Sequence, residues 1–306
     1  MQSTKIVNVA KVLFAVVAWG ASFIATKVAL RDVSPITVVW LRFAMGVVII
    51  GVAVVARGQL VLPSWRDAAY FALLGLLGIA YHQWLQSTGL QTAQASTTAW
   101  IVATTPIFMA LLGWLVLHER LGLIQIAGIL LATFGVLVVV SGGDLGALGM
   151  NQTGMPGNLY ILASAPNWAI FSVLSRRGLR QHPPARMMFY VMGFGWLISS
   201  VMFFSGPGLA EVGQLTLSGW EGIAFLGIAC SGLAYVFWYD GLQAIPASQI
   251  GAYLYLEPLV AVVVAGIILS EPIFLASLLG GAGILMGVYL VERPGKQQAV
   301  PAAQEA

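Results

Sequence analysis

The sequence has little charge, since only 8% of its 306 residues are Asp, Glu, Lys or Arg. Soluble domains carry about 25% charged residues, and 59% of this chain is hydrophobic, which excludes an ordinary soluble globule. A closed transmembrane β-barrel would need alternating strands of about ten residues, whereas the apolar runs here are unbroken. The composition therefore predicts an all-α polytopic membrane protein.

Residues and motifs typical of catalytic or metal sites are also scarce. Cys230 is the single cysteine, so the sequence supports neither a disulfide framework nor a thiolate metal site. There are three histidines, no His-Glu-x-x-His, no Gly-x-Ser-x-Gly and no phosphate-binding glycine loop. We therefore expect no enzyme, no cofactor and no metal. An intramembrane enzyme using Asp240 and Glu257, or a scaffold that transports nothing, are the alternatives from other classes.

What the sequence does have is a series of apolar stretches long enough to cross a bilayer, each about 20 residues. They predict ten transmembrane helices, five in each half of the chain. The first five lie at residues 8–29, 35–56, 67–88, 95–117 and 122–141, and the second five at 157–178, 185–205, 219–239, 247–269 and 273–291.

The two halves resemble each other. Gly89-Leu90-Gln91 matches Gly241-Leu242-Gln243, Ala95-Ser96 matches Ala247-Ser248 and Pro106 matches Pro258, all at an offset of 152 residues, while Trp19 matches Trp168 at 149. A unit of five spans is odd, so the second copy must enter the membrane from the opposite side. This is an inverted-topology repeat, which places a substrate site at the interface of the copies. It predicts a first unit at 1–145, a second at 146–293, a central cavity between them, and a disordered cytoplasmic tail at 294–306.

The basic residues predict the orientation. If the N-terminus is cytoplasmic, eleven of the fourteen Lys and Arg residues fall in cytoplasmic segments, as the positive-inside rule requires. We therefore expect a multi-pass protein with both termini in the cytoplasm. Its expected partners are the lipid bilayer and a small-molecule substrate, not nucleic acid.

The turn between the third and fourth spans has an ionisable ring and a large aromatic near it. His82 and Trp100 lie roughly six residues from the turn on either side, so at about 1.5 Å per residue they have similar depth in two antiparallel helices. His82 is suited to binding a substrate carboxylate or to titrating during transport. The alternative is a neutral imidazole hydrogen-bonded within the bundle.

Other ionisable residues also fall within or near spans, where charge is costly. Arg42 is suited to attracting a carboxylate or to pairing with Asp32, and the structural pair is the favoured interpretation. Glu257 is a candidate for binding a cation or a proton, with bonding to freed backbone as the alternative. Asp240 is interpreted as a solvated helix end.

Aromatic and proline residues complete the candidate site. Deep tryptophans are interpreted as cavity lining that stacks on a substrate or holds a cation, with packing against lipid or other helices as the alternative. Tyr253 is a further candidate. Pro106 and Pro258 are expected to kink their helices and so to serve gating. The tryptophans concerned are Trp19, Trp100 and Trp168.

Several local motifs carry a family resemblance. They are Trp19-Gly20-Ala21-Ser22-Phe23, Leu41-Arg42-Phe43, Thr105-Pro106 with His118-Glu119-Arg120, and Glu257-Pro258 with Ser270-Glu271-Pro272. In this order the sequence resembles the drug/metabolite transporter superfamily, in particular its EamA-type bacterial members.

The resemblance implies ten helices, cytoplasmic termini, location in the bacterial inner membrane and export of small metabolites, often amino acids. Cavity residues carried over by it are Trp19, Tyr81, His82, Trp100 and Trp168. The expected function is a secondary transporter that exports amino acids, including aromatic or apolar ones, by alternating access. A carrier of cationic or lipid-linked solutes is the alternative, and a monomer is one of the oligomeric states left open.

Overall fold

The computed structural model describes residues 2–117, 122–144, 154–244 and 253–292, and every regular element in these ranges is helical. The first half contains α1 (Gln2–Ala29), α2 (Pro35–Ala56), α3 (Trp65–Gly75), a π-helix π1 (Leu76–Tyr81), α4 (His82–Leu90), α5 (Ala95–Val102), α6 (Thr105–Leu117) and α7 (Leu123–Val140). The second half contains α8 (Met155–Gln181), α9 (Pro184–Ser205), α10 (Gly208–Val212), α11 (Leu217–Ala224), a π-helix π2 (Phe225–Leu233), α12 (Ala234–Ala244), α13 (Leu256–Ile268) and α14 (Leu275–Glu292).

Seven helical stretches in the described ranges are long and apolar enough to span a membrane. They are Ile6–Ala29, Pro35–Ala56, Trp65–Leu90, Ala95–Leu112, Leu123–Val140, Pro184–Ser205 and Leu217–Gly241. Two shorter apolar helices occupy Leu256–Ile268 and Leu275–Val291, and α8 covers the stretch predicted at 157–178. A multi-spanning helical protein is therefore established, while the count of ten remains a prediction.

Some predicted features lie outside the described residues. These are the motif His118-Glu119-Arg120, the pair Ala247-Ser248 and the tail at 294–306. Of the stretch predicted as one span at 247–269, the described helix is Leu256–Ile268.

Two long helices each contain a π-helical segment in the same place in the repeat. Moving π1 forward by the 152-residue offset gives residues 228–233, which fall within π2. A π turn bonds i to i+5 and often marks a functional position. The two halves thus share a local irregularity that their hydrophobic patterns do not display.

The two prolines expected to kink their helices instead lie at helix starts. The fourth predicted span breaks at residues 103–104, and Pro106 is the second residue of α6. Pro258 is the third residue of α13. A proline in the first turn costs no hydrogen bond, because that amide has no partner in the helix. At Pro106 the chain therefore ends one helix and begins another, and Pro258 lies in the first turn of α13, so neither proline bends the interior of a described helix.

The last helix of each half packs against the other along glycines. An added Cβ at Gly128 would lie 2.6 Å from the carbonyl oxygen of Gly287, and one at Gly135 would lie 2.6 Å from that of Gly280. Contact of the start of α7 with the end of α14 means that the two helices are antiparallel. We call these four glycines the glycine seam; small residues of this kind allow close helix approach in membranes.

The second helix of each half also meets its counterpart. The Trp40 ring on α2 stacks on Phe203 of α9 at 4.1 Å between centroids, and Gly51 faces the ring of Phe189. These contacts again run in opposite chain directions. Between the two pairs, α1 packs against α12 and α13, as α8 packs against α4 and α6. The first helix of each half therefore packs against helices of the other half.

Candidate functional site

The first junction between the halves joins α4 to α8 and contains His82. The His82 side chain is buried, with 4% exposure, and its ring lies 4.7 Å from that of Trp168. Trp168 in turn packs on Phe171 at 4.8 Å. Within the described ranges His82 Nδ1 is buried and has no hydrogen-bond partner. A polar atom buried without a hydrogen bond is costly, which makes this nitrogen a candidate contact for a ligand.

The same junction contains a polar residue that sequence reasoning missed. Asn167 Nδ2 donates to the carbonyl oxygen of Leu77 at 2.8 Å, and Leu77 belongs to π1. Pro166 lies inside α8 immediately before Asn167. The sequence did contain a signal for this residue. Pro166 removes a backbone hydrogen bond in the interior of a helical segment, and the amide side chain of Asn167 follows it directly.

The second junction joins α1 to α12 and π2 and contains Trp19, Tyr235 and Trp238. Trp19 Nε1 donates to the carbonyl oxygen of Cys230 at 3.1 Å. The Trp19 ring lies 5.5 Å from Tyr235 and 5.2 Å from Trp238. A side chain from the first helix of one half thus satisfies a π-helical carbonyl of the other half at both junctions.

Trp100 does not join His82, although the two were expected at one depth. Trp100 is 1% exposed and packs in a cluster with Ile107, Val262 and Ile284. An added Cβ at Gly281 would lie 2.5 Å from its ring. Two side chains at equal depth can still point in different directions around their helix axes. Trp100 on α5 points toward α14.

The two candidate tyrosines also lie apart from His82. Tyr81 is 44% exposed and stacks on Trp84 at 6.1 Å. Tyr253 is half-buried and packs with Val12 and Val16 of α1. Of the predicted aromatic residues, the structure therefore brings Trp168 directly to His82.

Arg42 has a different partner from the one predicted. Asp32 accepts hydrogen bonds from the backbone and hydroxyl of Thr216, so the expected Arg42–Asp32 pair is wrong. Arg42 instead donates through Nε to Ser231 Oγ at 3.0 Å and through Nη1 to Gln83 Oε1 at 3.1 Å. Ser231 lies on π2 and Gln83 on α4, so the guanidinium connects both junctions.

Asp240 is not the solvated helix end that was predicted. Its carboxylate binds Lys11 Nζ at 2.7 Å and Arg57 Nη2 at 2.8 Å. It therefore holds α12 to α1 and α2 at one end of the bundle.

A second acidic residue holds the other end of the bundle. Glu271 accepts from the backbone amides of Ala95 and Ser96 at 2.8 and 3.1 Å, at the start of α5. Lys27 Nζ lies 3.7 Å from the same carboxylate and donates to the carbonyl oxygen of Ala93 at 2.6 Å. A carboxylate at a helix N-terminus is stabilised by the free amides there, so this contact fastens the second half to the first.

Cavities lie at the margins of the bundle. One of about 140 Å³ is bordered by Asp67, Phe71, His182, Arg186 and Tyr190, among others, and another of about 10 Å³ lies at Glu271. Neither is the predicted central cavity, which stays a prediction. In the described part of the chain, no three His, Cys, Asp or Glu side chains are grouped as metal ligands.

Comparison with known proteins identifies the family. The family model described as "EamA-like transporter family" matches residues 8–141 and again residues 155–293. The chain belongs to the EamA-like transporter family. The match covers both halves of the chain in turn, and it makes this EamA-like protein a membrane transporter.

Relatives of this EamA-like protein extend over nearly its whole length. An "uncharacterized transporter" of Archaeoglobus fulgidus is 26% identical, covering 90% of this chain and 95% of the relative. The "uncharacterized transporter YyaM" of Bacillus subtilis is 26% identical over 88% of each chain. A solved structure titled "Crystal structure of protein" shares the fold, with a TM-score of 0.64 and 21% identity over 95% of this chain and 97% of that one.

Proposed function

We propose that this transporter exports amino acids, apolar and aromatic ones among them, by alternating access at the interface of two inverted halves. The observation that carries the proposal is the contact of the His82 ring with Trp168, where Nδ1 of His82 is buried and has no hydrogen-bond partner among the described residues. A flat apolar surface beside a single free polar atom suits a ligand that has a hydrophobic side chain and a polar end.

Antiparallel packing of equivalent helices supports the inverted arrangement. An axis in the membrane plane would make each helix run opposite to its repeat counterpart, and α7 with α14 and α2 with α9 have this relation. With the termini in the cytoplasm of a bacterial cell, the Asp240 contacts are cytoplasmic and the Glu271 contacts are external. The two contacts then close the two ends of one path.

The test is counterflow in proteoliposomes, using labelled amino acids, amines and sugars in turn. We expect phenylalanine or leucine to exchange. His82→Ala should lower the exchange rate about tenfold or more while the protein remains monodisperse in detergent, because the ligand loses a hydrogen bond made in a dry site.

His182→Ala is the matched control. This second histidine lies near Asp67 at the margin of the bundle, so its loss should leave exchange within about twofold of wild type. Exchange of amines or sugars without amino acids would contradict the proposal. Equal exchange by wild type and His82→Ala would remove His82 from the site.

A carrier of cationic solutes is the second candidate, and Glu257 favours it. This half-buried carboxylate has no hydrogen bond or ion pair to its side chain among the described residues. Exchange of amines in the same assay, with amino acids failing to compete, would select this alternative.

A further inference from the structure

The cavity of about 140 Å³ at the margin of the bundle lies between the starts of α3 and α9. Asp67 and Arg186, the third residues of the two helices, border it, as do the seventh residues, Phe71 and Tyr190. The two rings stack at 6.0 Å between centroids, so the helices start at the same level. A helix rises about 1.5 Å per residue, and the charged groups therefore lie nearer the helix starts than the rings.

The opposite charges of this cavity do not meet, because His182 lies between them. Arg186 Nη2 lies 3.2 Å from His182 Nδ1, and His182 Nε2 lies 3.5 Å from Asp67 Oδ1. A guanidinium can only donate, so Nδ1 is the acceptor and Nε2 carries the proton, which makes the ring neutral. In the described residues Asp67 and Arg186 form no ion pair with each other. The cavity thus presents one negative and one positive group held apart by a neutral ring.

Both charged groups keep hydrogen-bonding positions for a ligand. Asp67 accepts from Ser64 Oγ through Oδ2 at 2.8 Å, and in the described ranges its Oδ1 has only the contact with His182. Arg186 has no carboxylate partner in the same ranges. The remaining donors of its planar fork match the geometry of a phosphate. A free carboxylate oxygen matches an ammonium group, so the cavity suits a zwitterion that has both.

The cavity lies at the level where lipid headgroups are found. Two candidate membrane spans begin there, Trp65–Leu90 and Pro184–Ser205. Trp65 is 76% exposed, and the Arg66 guanidinium lies 5.4 Å from its ring. Tryptophan at the end of a span is typical of the membrane interface. Leu62 borders the cavity and is 87% exposed, so an apolar side chain faces the surroundings at its edge.

The volume of the cavity suits a headgroup rather than a whole lipid. A cavity of about 150 Å³ holds one benzene molecule, and this one is of similar size. Acyl chains would therefore remain outside it, in the bilayer. Pockets with basic residues between membrane helices are known to bind lipid headgroups.

We propose that this cavity binds the headgroup of a zwitterionic phospholipid, with the phosphate on Arg186 and the ammonium group on Asp67. One such headgroup pairs both charges, whereas an anionic headgroup that ends in hydroxyls leaves Asp67 without a cation. Selectivity follows from that unpaired charge. The inference does not depend on the exported substrate, because the cavity lies apart from His82 and Trp168.

The test is native mass spectrometry of the purified protein in detergent, titrated with two lipids of identical acyl chains. Phosphatidylethanolamine carries a phosphate and an ammonium group, and phosphatidylglycerol carries the phosphate alone. Wild type should bind its first phosphatidylethanolamine about tenfold more tightly than phosphatidylglycerol, as expected for one charge-assisted hydrogen bond.

Each variant should remove one end of the headgroup contact. Arg186→Gln should weaken both lipids about tenfold, because both carry the phosphate. Asp67→Asn should weaken phosphatidylethanolamine alone, so that the two lipids bind equally. Arg180 is exposed in the last turn of α8 and does not border the cavity. Arg180→Gln is therefore the matched control, which removes the same charge and should change either affinity by less than about twofold.

Three results would overturn the inference. The first is equal binding of the two lipids by wild type. The second is equal weakening by Arg186→Gln and Arg180→Gln, which would mean general attraction to a basic surface. The third is displacement of the lipid by an equal concentration of O-phosphoethanolamine, which would mean that the cavity takes a soluble zwitterion.

A second variant keeps the test decisive if Arg186→Gln is not monodisperse. Arg186→Lys keeps the charge and loses the planar fork, so it should weaken both lipids about threefold. Unchanged binding of both lipids by Arg186→Lys would also overturn the inference.

Discussion

The two halves make equivalent contacts at the glycine seam and different contacts at the two junctions. At the seam the halves are equivalent: Gly128 meets Gly287 and Gly135 meets Gly280, and each pair maps onto the other through the 152-residue offset. At the junctions the equivalent tryptophans differ, because Trp168 faces His82 whereas Trp19 donates to Cys230. The seam therefore preserves a shared packing geometry, whereas at the junctions the equivalent residues of the two copies make different contacts.

The largest effect should come from breaking the seam. Gly135→Leu and Gly287→Leu each place a side chain where an added Cβ already lies 2.6 or 2.5 Å from a backbone oxygen. Backbone cannot yield as a side chain can, so each should cost about 3 kcal/mol or more and lose the monodisperse peak in detergent chromatography. Equivalence of the halves predicts similar losses.

Gly193→Ala is the control for the seam, because nothing lies within 4 Å of a Cβ added there. It should leave the chromatographic peak unchanged. A stable Gly287→Leu beside an aggregated Gly135→Leu would show that the seam is not symmetric.

The second prediction compares the equivalent tryptophans. Trp19→Phe removes the indole donor to the Cys230 carbonyl oxygen, a loss of about 0.5–1.5 kcal/mol in addition to the change in packing. In the described ranges the Trp168 indole nitrogen makes no hydrogen bond, so Trp168→Phe should cost less than about 1.5 kcal/mol. Thermal unfolding in detergent measures the difference.

Transport should rank these two variants in the opposite order. Trp168→Phe changes the ring beside His82 and should reduce phenylalanine counterflow more than Trp19→Phe does at a temperature where both are folded. Equal stability losses, or a greater transport loss in Trp19→Phe, would mean that the two junctions do not differ as described.

The smallest effect concerns Glu211 in α10, outside the spanning helices. Its carboxylate accepts hydrogen bonds from Ser34 and Thr37 on the first half. Partial burial is the largest single influence on its pKa and raises it, but the hydrogen bonds from Thr37 and Ser34 together outweigh it and lower the pKa below the ordinary 4.5. The ionised form therefore stabilises the fold.

The pH dependence follows from that direction. A lowered folded-state pKa contributes stability above about 4.5, which is lost as the pH falls through the folded value. Wild type should melt slightly above Glu211→Gln at pH 7, by at most about 2 °C, and the difference should shrink as the pH falls below about 4.5. A difference that grows on acidification would contradict the assignment.

Hydrophobic length predicted the spans well but not what happens within them. The stretch at 35–56 coincides with α2, since a run of that length bounded by Pro35 and a polar loop has few other structures available. The π-helical segments were not predicted, because one extra residue in a turn does not change the hydrophobicity of the stretch that contains it. The breaks before Pro106 and Pro258 were anticipated as kinks, because composition locates a proline but not the helix start.

The contacts within the candidate site could be predicted only in part. His82 and Trp168 were both expected at the interface of the halves, and their rings are in contact. Trp100 was expected beside them from depth alone, and depth leaves the direction around the helix axis undetermined. The Arg42 partners Gln83 and Ser231 lie 41 and 189 residues away, so no local pattern could reveal them.

The π turn before His82 has a consequence for where that ring points. An α-helix advances about 100° per residue, so the additional residue in Leu76–Tyr81 rotates everything after Tyr81 relative to an unbroken helix. Without that residue the imidazole would point in a different direction around the helix axis. The widened turn therefore sets the direction of the His82 ring, and Asn167 of the other half donates to a carbonyl oxygen of the same turn.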